Sequence, residues 1–354
     1  MALDKAKFTS IMAQIKKEHG EVVNVPTTRD SQVLLVDGTN NFIRCWSVVP
    51  TLTDNGEHCG GISGFLTSLG YAIKLLRPTR VIIVFDGKGG SARRRALYPA
   101  YKNNRASKIR VNRAYEELSN GEDEMKARTQ QLLSLAGNFL PCLPVSVISI
   151  DHIEADDAIA YIATSVFNKP ENKVTIMSGD KDFIQVINDR VTLWSPIKKK
   201  IYSIQDVVNE YGIHPINFPY YRMLEGDTSD NITGVKGIGM KTAIKRFPML
   251  TESKETSVEK VMEYAKDKAN EAAIYQKVVD NSDVVTRNYM LMQLKDPDFS
   301  PALQMQISDA VARTNDYNKF QFIQLLTKYG MHSAIPNYHV WLQEVFYPLS
   351  CFTK

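Results

Sequence analysis

The chain has 354 residues, 44% of them apolar and 23% charged, with a formal net charge of +4, which is globular usage on a length that fits one large domain or two ordinary ones. Its four cysteines (Cys45, Cys59, Cys142 and Cys351) form no CxxC and have no metal-spaced histidines, which excludes a disulfide framework and a zinc site and points to a reducing cytoplasm. The first residues carry no apolar leader and no run of eighteen apolar residues occurs, so neither secretion nor a membrane span is expected.

Residues 1–30 read as an N-terminal extension: a short amphipathic pattern (Phe8, Ile11, Met12, Ile15) followed by "NVPTTRDS" as a linker. Three apolar runs follow, "QVLLVDG" (32–38), "RVIIVFDG" (80–87) and "KVTIMSGD" (173–180), with "VSVISI" (145–150) as a fourth. Near-continuous β-branched runs separated by helical stretches predict an α/β fold, a mainly parallel central sheet covered by helices on both faces, over residues 31–203. "VTLWSPIKKKIYS" (191–203) reads as a hairpin with a basic turn, and from about Ile204 to the end the pattern is helical.

Asp37, Asp86 and Asp180 each end one of these strands, and parallel strands present their C-terminal ends along one edge, where such folds place their sites. "DHIEADDAIA" adds Glu154, Asp156 and Asp157, Asp182 stands two residues past Asp180, and "EGDTSDN" brings Asp227 and Asp230. One aspartate after a strand is more often a helix cap than a ligand, but five coincident sites call for another explanation. At an effective dielectric near 20 and separations of about 6 Å, each like-charged pair costs roughly 3 kcal/mol, so the cluster needs cations. Oxygen donors without histidine or cysteine favour hard ions, and a pair of Mg²⁺ or Mn²⁺ roughly 4 Å apart is a known device for phosphodiester hydrolysis.

Between the second run and the acidic helix, Arg93, Arg94, Arg95, Lys102, Arg105, Lys108, Arg110 and Arg113 succeed one another without an acid, interleaved with Tyr98 and Tyr101. Cations for phosphates and rings for unpaired bases suit single-stranded nucleic acid. "TGVKGIGMKTA" (233–243) is a helix-hairpin-helix pattern: Gly237 and Gly239 permit a tight turn whose N–H groups face a phosphate, with Lys236, Lys241, Thr242 and Lys245 around it. Such a turn reads backbone rather than bases, so sequence-independent duplex binding is expected.

Taken in order, "VDG", "FDGKGGSARRRALYPAYKNNR", "IEADDAIA", "SGDKDFIQVI" and "EGDTSDNITGVKGIGMKTA" resemble the motifs of the structure-specific 5′ nucleases, the flap endonucleases and 5′–3′ exonucleases. The helical tail around "FQFIQLLTKYGM" is most similar to the bacteriophage members, of the T-even RNase H type. The resemblance implies a PIN-like core with a helical arch over residues 88–128 and a helical DNA-binding part over 204–354. It implies that Asp37, Asp86, Glu154, Asp156, Asp180 and Asp182 hold a metal pair, and that Asp227 and Asp230 serve a second, wetter position. Lys102 and Arg105 match a basic pair beside the scissile phosphate, with Tyr101 stacking on a terminal base and a monovalent cation, K⁺, at the helix-hairpin-helix.

The expected enzyme is a monomer that cuts 5′ flaps, nicks and RNA primers on duplex DNA during replication, recruited by a single-strand-binding protein or a sliding clamp. Its place would be the host bacterial cytoplasm if a phage encodes it. Two rivals stand beside this reading: a PIN-type single-strand ribonuclease, which needs no helix-hairpin-helix, and a non-catalytic branched-DNA-binding protein, which needs no carboxylates.

Overall fold

The computed structural model describes residues 28–105 and 121–352. Lys108, the Arg105 side chain, the middle of the basic segment and the stretch around Phe8 lie outside the described residues.

The apolar runs become strands β1 (Gln32–Asp37), β2 (Arg80–Phe85), β3 (Ser146–Ser149) and β4 (Lys173–Met177), joined by β5 (Val191–Ser195) and β6 (Lys200–Tyr202) in one sheet of order β3-β2-β1-β4-β5-β6. Every pairing is parallel except β5 with β6, which form the basic-turned hairpin. The apolar runs are continuous because both faces are covered. Val33, Leu35, Ile82 and Val84 point into one core while Leu34, Val36, Val81 and Ile83 point into the other.

The first core packs against the helices Ala155–Tyr161 and Phe218–Glu225 and those between Val258 and Ala312. The second packs against Gly38–Val48 and Gly60–Leu76, and the two final helices, Lys319–Lys328 and Tyr338–Ser350, cross over to join it. After β6 the only strands among the described residues are the short pair β7 (Gly226–Asp227) and β8 (Ile232–Thr233). From β1 the chain goes to β2 and β3 on one side, then returns to lay β4 on the other, so a crevice opens at the C-terminal ends of β1 and β4. Gly87, just past β2, lies tight against the end of β3, where a Cβ would strike the Ile150 carbonyl.

Candidate active site

Register aligns the acidic strand ends: Asp37 lies opposite Val84, close to Asp86, and Val36 lies opposite Met177, close to Asp180. Asp37 caps the helix Gly38–Val48, accepting the Asn40 N–H at 3.0 Å, while its other oxygen accepts the Ser178 hydroxyl at 2.8 Å. Asp86 accepts the Ala155 N–H at 2.8 Å and so fastens the start of the acidic helix Ala155–Tyr161 to the end of β2. Asp180 accepts the Asp182 N–H at 2.9 Å and caps the turn Lys181–Val186. Capping thus occurs, but a carboxylate has about four acceptor positions, and these bonds leave some of them open.

The electrostatics show crowding. Burial pushes the Asp37 carboxyl up to about 7, with Asp86 and Asp156 adding to the effect. Asp180 rises well above the ordinary carboxylate range, through burial first and then Asp182. Asp182 also rises, burial outweighing the Arg222 guanidinium beside it. Asp156 goes the other way: burial opposes its charge, but Arg94 and Lys102 overcome that and hold it below its ordinary value. It adds to the crowding at Asp37, Asp86, Asp180 and Asp182, which makes it the centre of the cluster. Among the described residues, Glu154, Asp156 and Asp157 bring an oxygen each within 4.8 Å of one another. An all-oxygen donor set in which Asp37, Asp86, Asp180 and Asp182 resist ionisation fits a hard divalent cation, which would relieve that repulsion.

Several expected roles need correction. Asp157, expected as a metal ligand, is buried with its two oxygens gripped by Arg94 at 2.9 Å each and by Arg93 at 3.3 Å, so arginines already meet its charge. Arg94, expected on DNA, is 2% exposed and also bonds Glu154 and the Leu291 carbonyl. Arg93 reaches the Pro297 carbonyl as well, and of the arginine triplet only Arg95 is exposed. Tyr101, expected to stack on a base, is 2% exposed, packed with Ile232, Leu291 and Met292, and its hydroxyl donates to Glu154 at 3.1 Å. Lys102 stays at the site, ion-paired with Glu154 and 4.0 Å from Asp230. Its backbone N–H donates to the Asp230 carbonyl, and Asn104 donates to the Thr228 carbonyl at 3.0 Å, so the described limb of the basic segment is fastened to the body.

Asp227 meets Asp182 through Arg222, a residue the motif reading passed over. The signal was present: an arginine on the helix "FPYYRMLE", apolar but for it and the final glutamate, five residues before Asp227. Ser178 was passed over too, although a hydroxyl between β4 and Asp180 is well placed to reach a neighbouring strand end.

In the second motif the helices Phe218–Glu225 and Met240–Arg246 flank a turn in which Gly237 adopts φ 97°, a conformation that side chains resist. Val235 and Ile238 are buried under it, while Lys236, Lys241 and Lys245 are exposed and Thr242 is half-buried. Gly239 precedes the second helix with open space where a Cβ would be.

Two family models match the chain: "5′–3′ exonuclease, N-terminal resolvase-like domain" over residues 32–212 and "5′–3′ exonuclease, C-terminal SAM fold" over 213–318. A 5′–3′ exonuclease of Aquifex aeolicus is 31% identical over 59% of this chain and 66% of its own. One of Buchnera aphidicola is 30% identical over 72% of this chain and 83% of its own. DNA polymerase I of Bacillus subtilis is 29% identical over 67% of this chain, which spans only 25% of that protein. In fold, the bacteriophage T5 protein crystallised with metal ions superposes with a TM-score of 0.62 at 19% identity, over 79% of this chain and 98% of that one.

Proposed function

This chain belongs to the 5′–3′ exonuclease family, and from that premise we propose that it is a metal-dependent nuclease that hydrolyses phosphodiesters at 5′ flaps, nicks and RNA primers on duplex DNA. The observation that carries the reading is the convergence of Asp37, Asp86, Asp156, Asp180 and Asp182 at the β1/β4 crevice, in a chain that also carries a glycine turn framed by exposed lysines. The T5 fold neighbour is itself described as a flap endonuclease in a complex with DNA and metal ions, at a TM-score of 0.59.

Two Mg²⁺ ions are the cations best suited to this oxygen donor set; when bound they would polarise the phosphate and lower the barrier to attack by water. The residues do the rest. Asp37, Asp86, Asp156 and Asp180 face one another at the edge and would hold the ions. Lys102, kept beside Glu154, would meet the negative charge that builds on the phosphate. Arg105 would act with it, and Lys236, Lys241 and Lys245 would grip the duplex backbone, with a K⁺ at the turn carbonyls. Action in a bacterial cytoplasm follows from a replication substrate. A phage source is proposed on the T5 fold likeness alone, the sequence relatives named above being bacterial.

Cleavage of a 5′-labelled flap substrate beside the matching free single strand, with Mg²⁺ and with EDTA, tests this. The expected result is Mg²⁺-dependent cutting near the junction, much faster than on the free strand. Equal cutting of the free strand points to a single-strand ribonuclease, and binding without cutting points to a non-catalytic protein.

A further inference from the structure

We propose that Arg222 is a built-in counter-ion that takes the place of a strongly held second divalent cation at the Asp182/Asp227 end of the cluster. The strong cation seat is thereby confined to the centre, between Asp37, Asp86, Asp156 and Asp180. The proposal rests on the metal-dependent reading above.

The Arg222 guanidinium is fixed by four acceptors. Its Nε donates to Asp182 at 3.0 Å, one terminal nitrogen to Glu225 at 2.9 Å and to the Gly226 carbonyl at 3.0 Å, and the other to Asp227 at 2.6 Å. It leaves the buried helix Phe218–Glu225 and is 8% exposed, so it is not a surface arginine that swings aside at no cost. Asp227 spends its other oxygen on the Ser229 N–H and hydroxyl, each at 2.7 Å. An ion arriving here meets one carboxylate with both oxygens engaged, another with one engaged, and a fixed positive charge between them.

The opposite end is neutralised in the same way. Glu154 holds Arg94 and Lys102, and Asp157 holds Arg94 and Arg93. In between, the hydrogen bonds to Asp37, Asp86 and Asp180 among the described residues come from neutral donors: Asn40, Ser178, Ala155 and Asp182 N–H or hydroxyl groups. Asp156 accepts the neutral Asp157 N–H at 2.8 Å and has one long 3.4 Å contact with Arg94. Direct ion pairs thus serve both flanks, whereas the internal cations act on the middle from a distance, so the middle is what remains for an external one.

Mn²⁺ titration of the whole protein by calorimetry, with water-proton relaxation counting bound ions, decides the matter for the wild type, Arg222→Leu and Arg222→Lys. The wild type should take one ion strongly and the next at least about 100-fold more weakly, and Arg222→Leu should bring the second within about tenfold of the first. Arg222→Lys, which keeps the charge, should behave as the wild type. Two ions of similar affinity in the wild type, or an unchanged second ion in Arg222→Leu, overturns the proposal. If Arg222→Leu does not fold even with Mn²⁺ present, the wild-type ratio alone decides. A wild type that takes up no Mn²⁺ at all instead overturns the metal-dependent reading itself.

Discussion

The Tyr101 hydroxyl donates to Glu154 at 3.1 Å from a ring that is itself 2% exposed, so a tyrosine in the middle of the basic segment orients an acid of the cluster from within the protein wall. Lys102 lies over the same ring, 4.7 Å from its centre, and bonds the same carboxylate. The pair therefore ties the described limb of the basic segment to Glu154 at the start of the acidic helix.

Tyr101→Phe follows from that bond. The ring stays and the hydrogen bond goes, so the protein should lose about 1 kcal/mol of stability. Flap affinity should hold, since the ring is not on the surface, whereas the cleavage rate should fall as Glu154 loses its orientation. Thermal melting, fluorescence-anisotropy binding and single-turnover cleavage separate the three; a large loss of affinity with unchanged stability would restore base stacking as the role.

The arginine triplet gives a paired prediction. Arg94→Leu leaves Glu154 and Asp157 buried without their main partner, and chemical denaturation should show a loss of about 3–5 kcal/mol. Arg95→Ala, at an exposed position, should stay within about 0.5 kcal/mol of the wild type while lowering the salt dependence of flap binding. Similar stability losses for both would contradict the burial difference between them.

The Asp37 carboxyl ionises at about 7 in the folded protein, whereas the unfolded chain ionises it near its ordinary value of about 4. Between those pH values the native state keeps a proton that the unfolded state has shed. Its stability without metal is therefore greatest at the acid side of that window and falls as pH rises through it. Asp37→Asn removes this group's contribution. In EDTA at pH 8 the variant should be more stable than the wild type by on the order of 2–4 kcal/mol, with a flatter pH profile. Added Mg²⁺ should raise the melting temperature of the wild type and leave the variant nearly unmoved.

Chemistry and grip separate by substitution at the two motifs. Asp180→Asn should reduce turnover at least about 1,000-fold with flap affinity within a few-fold of normal, because it removes charge at the crevice and none at the turn. Lys241→Ala should weaken duplex binding and reduce the slope of log affinity against log salt by about 1, with the chemical step intact. Binding curves across a salt series and single-turnover rates at saturating enzyme resolve the two; a rate loss in Lys241→Ala under saturation would place that lysine in the chemistry.

What the sequence by itself determined was whatever depends on neighbours in the chain. Continuous apolar runs require a sheet buried on both faces, and an aspartate at the end of each run is carried to the shared edge by the parallel register, so Asp37, Asp86 and Asp180 could be named before any coordinates. The glycine turn was equally local, because a positive φ at Gly237 is a property of a few consecutive residues. Which charges face inward was decided only by the tertiary structure. Arg94 looks the same as Arg95 on paper, and it is buried because the Leu291 carbonyl, 197 residues away in sequence, and the Asp157 carboxylate receive it. Arg222 is concealed likewise, since nothing near it in sequence shows that Asp182 will lie within 3.0 Å. Ion pairing in a protein interior depends on which distant segments exclude water together, and only the folded chain brings those segments into contact.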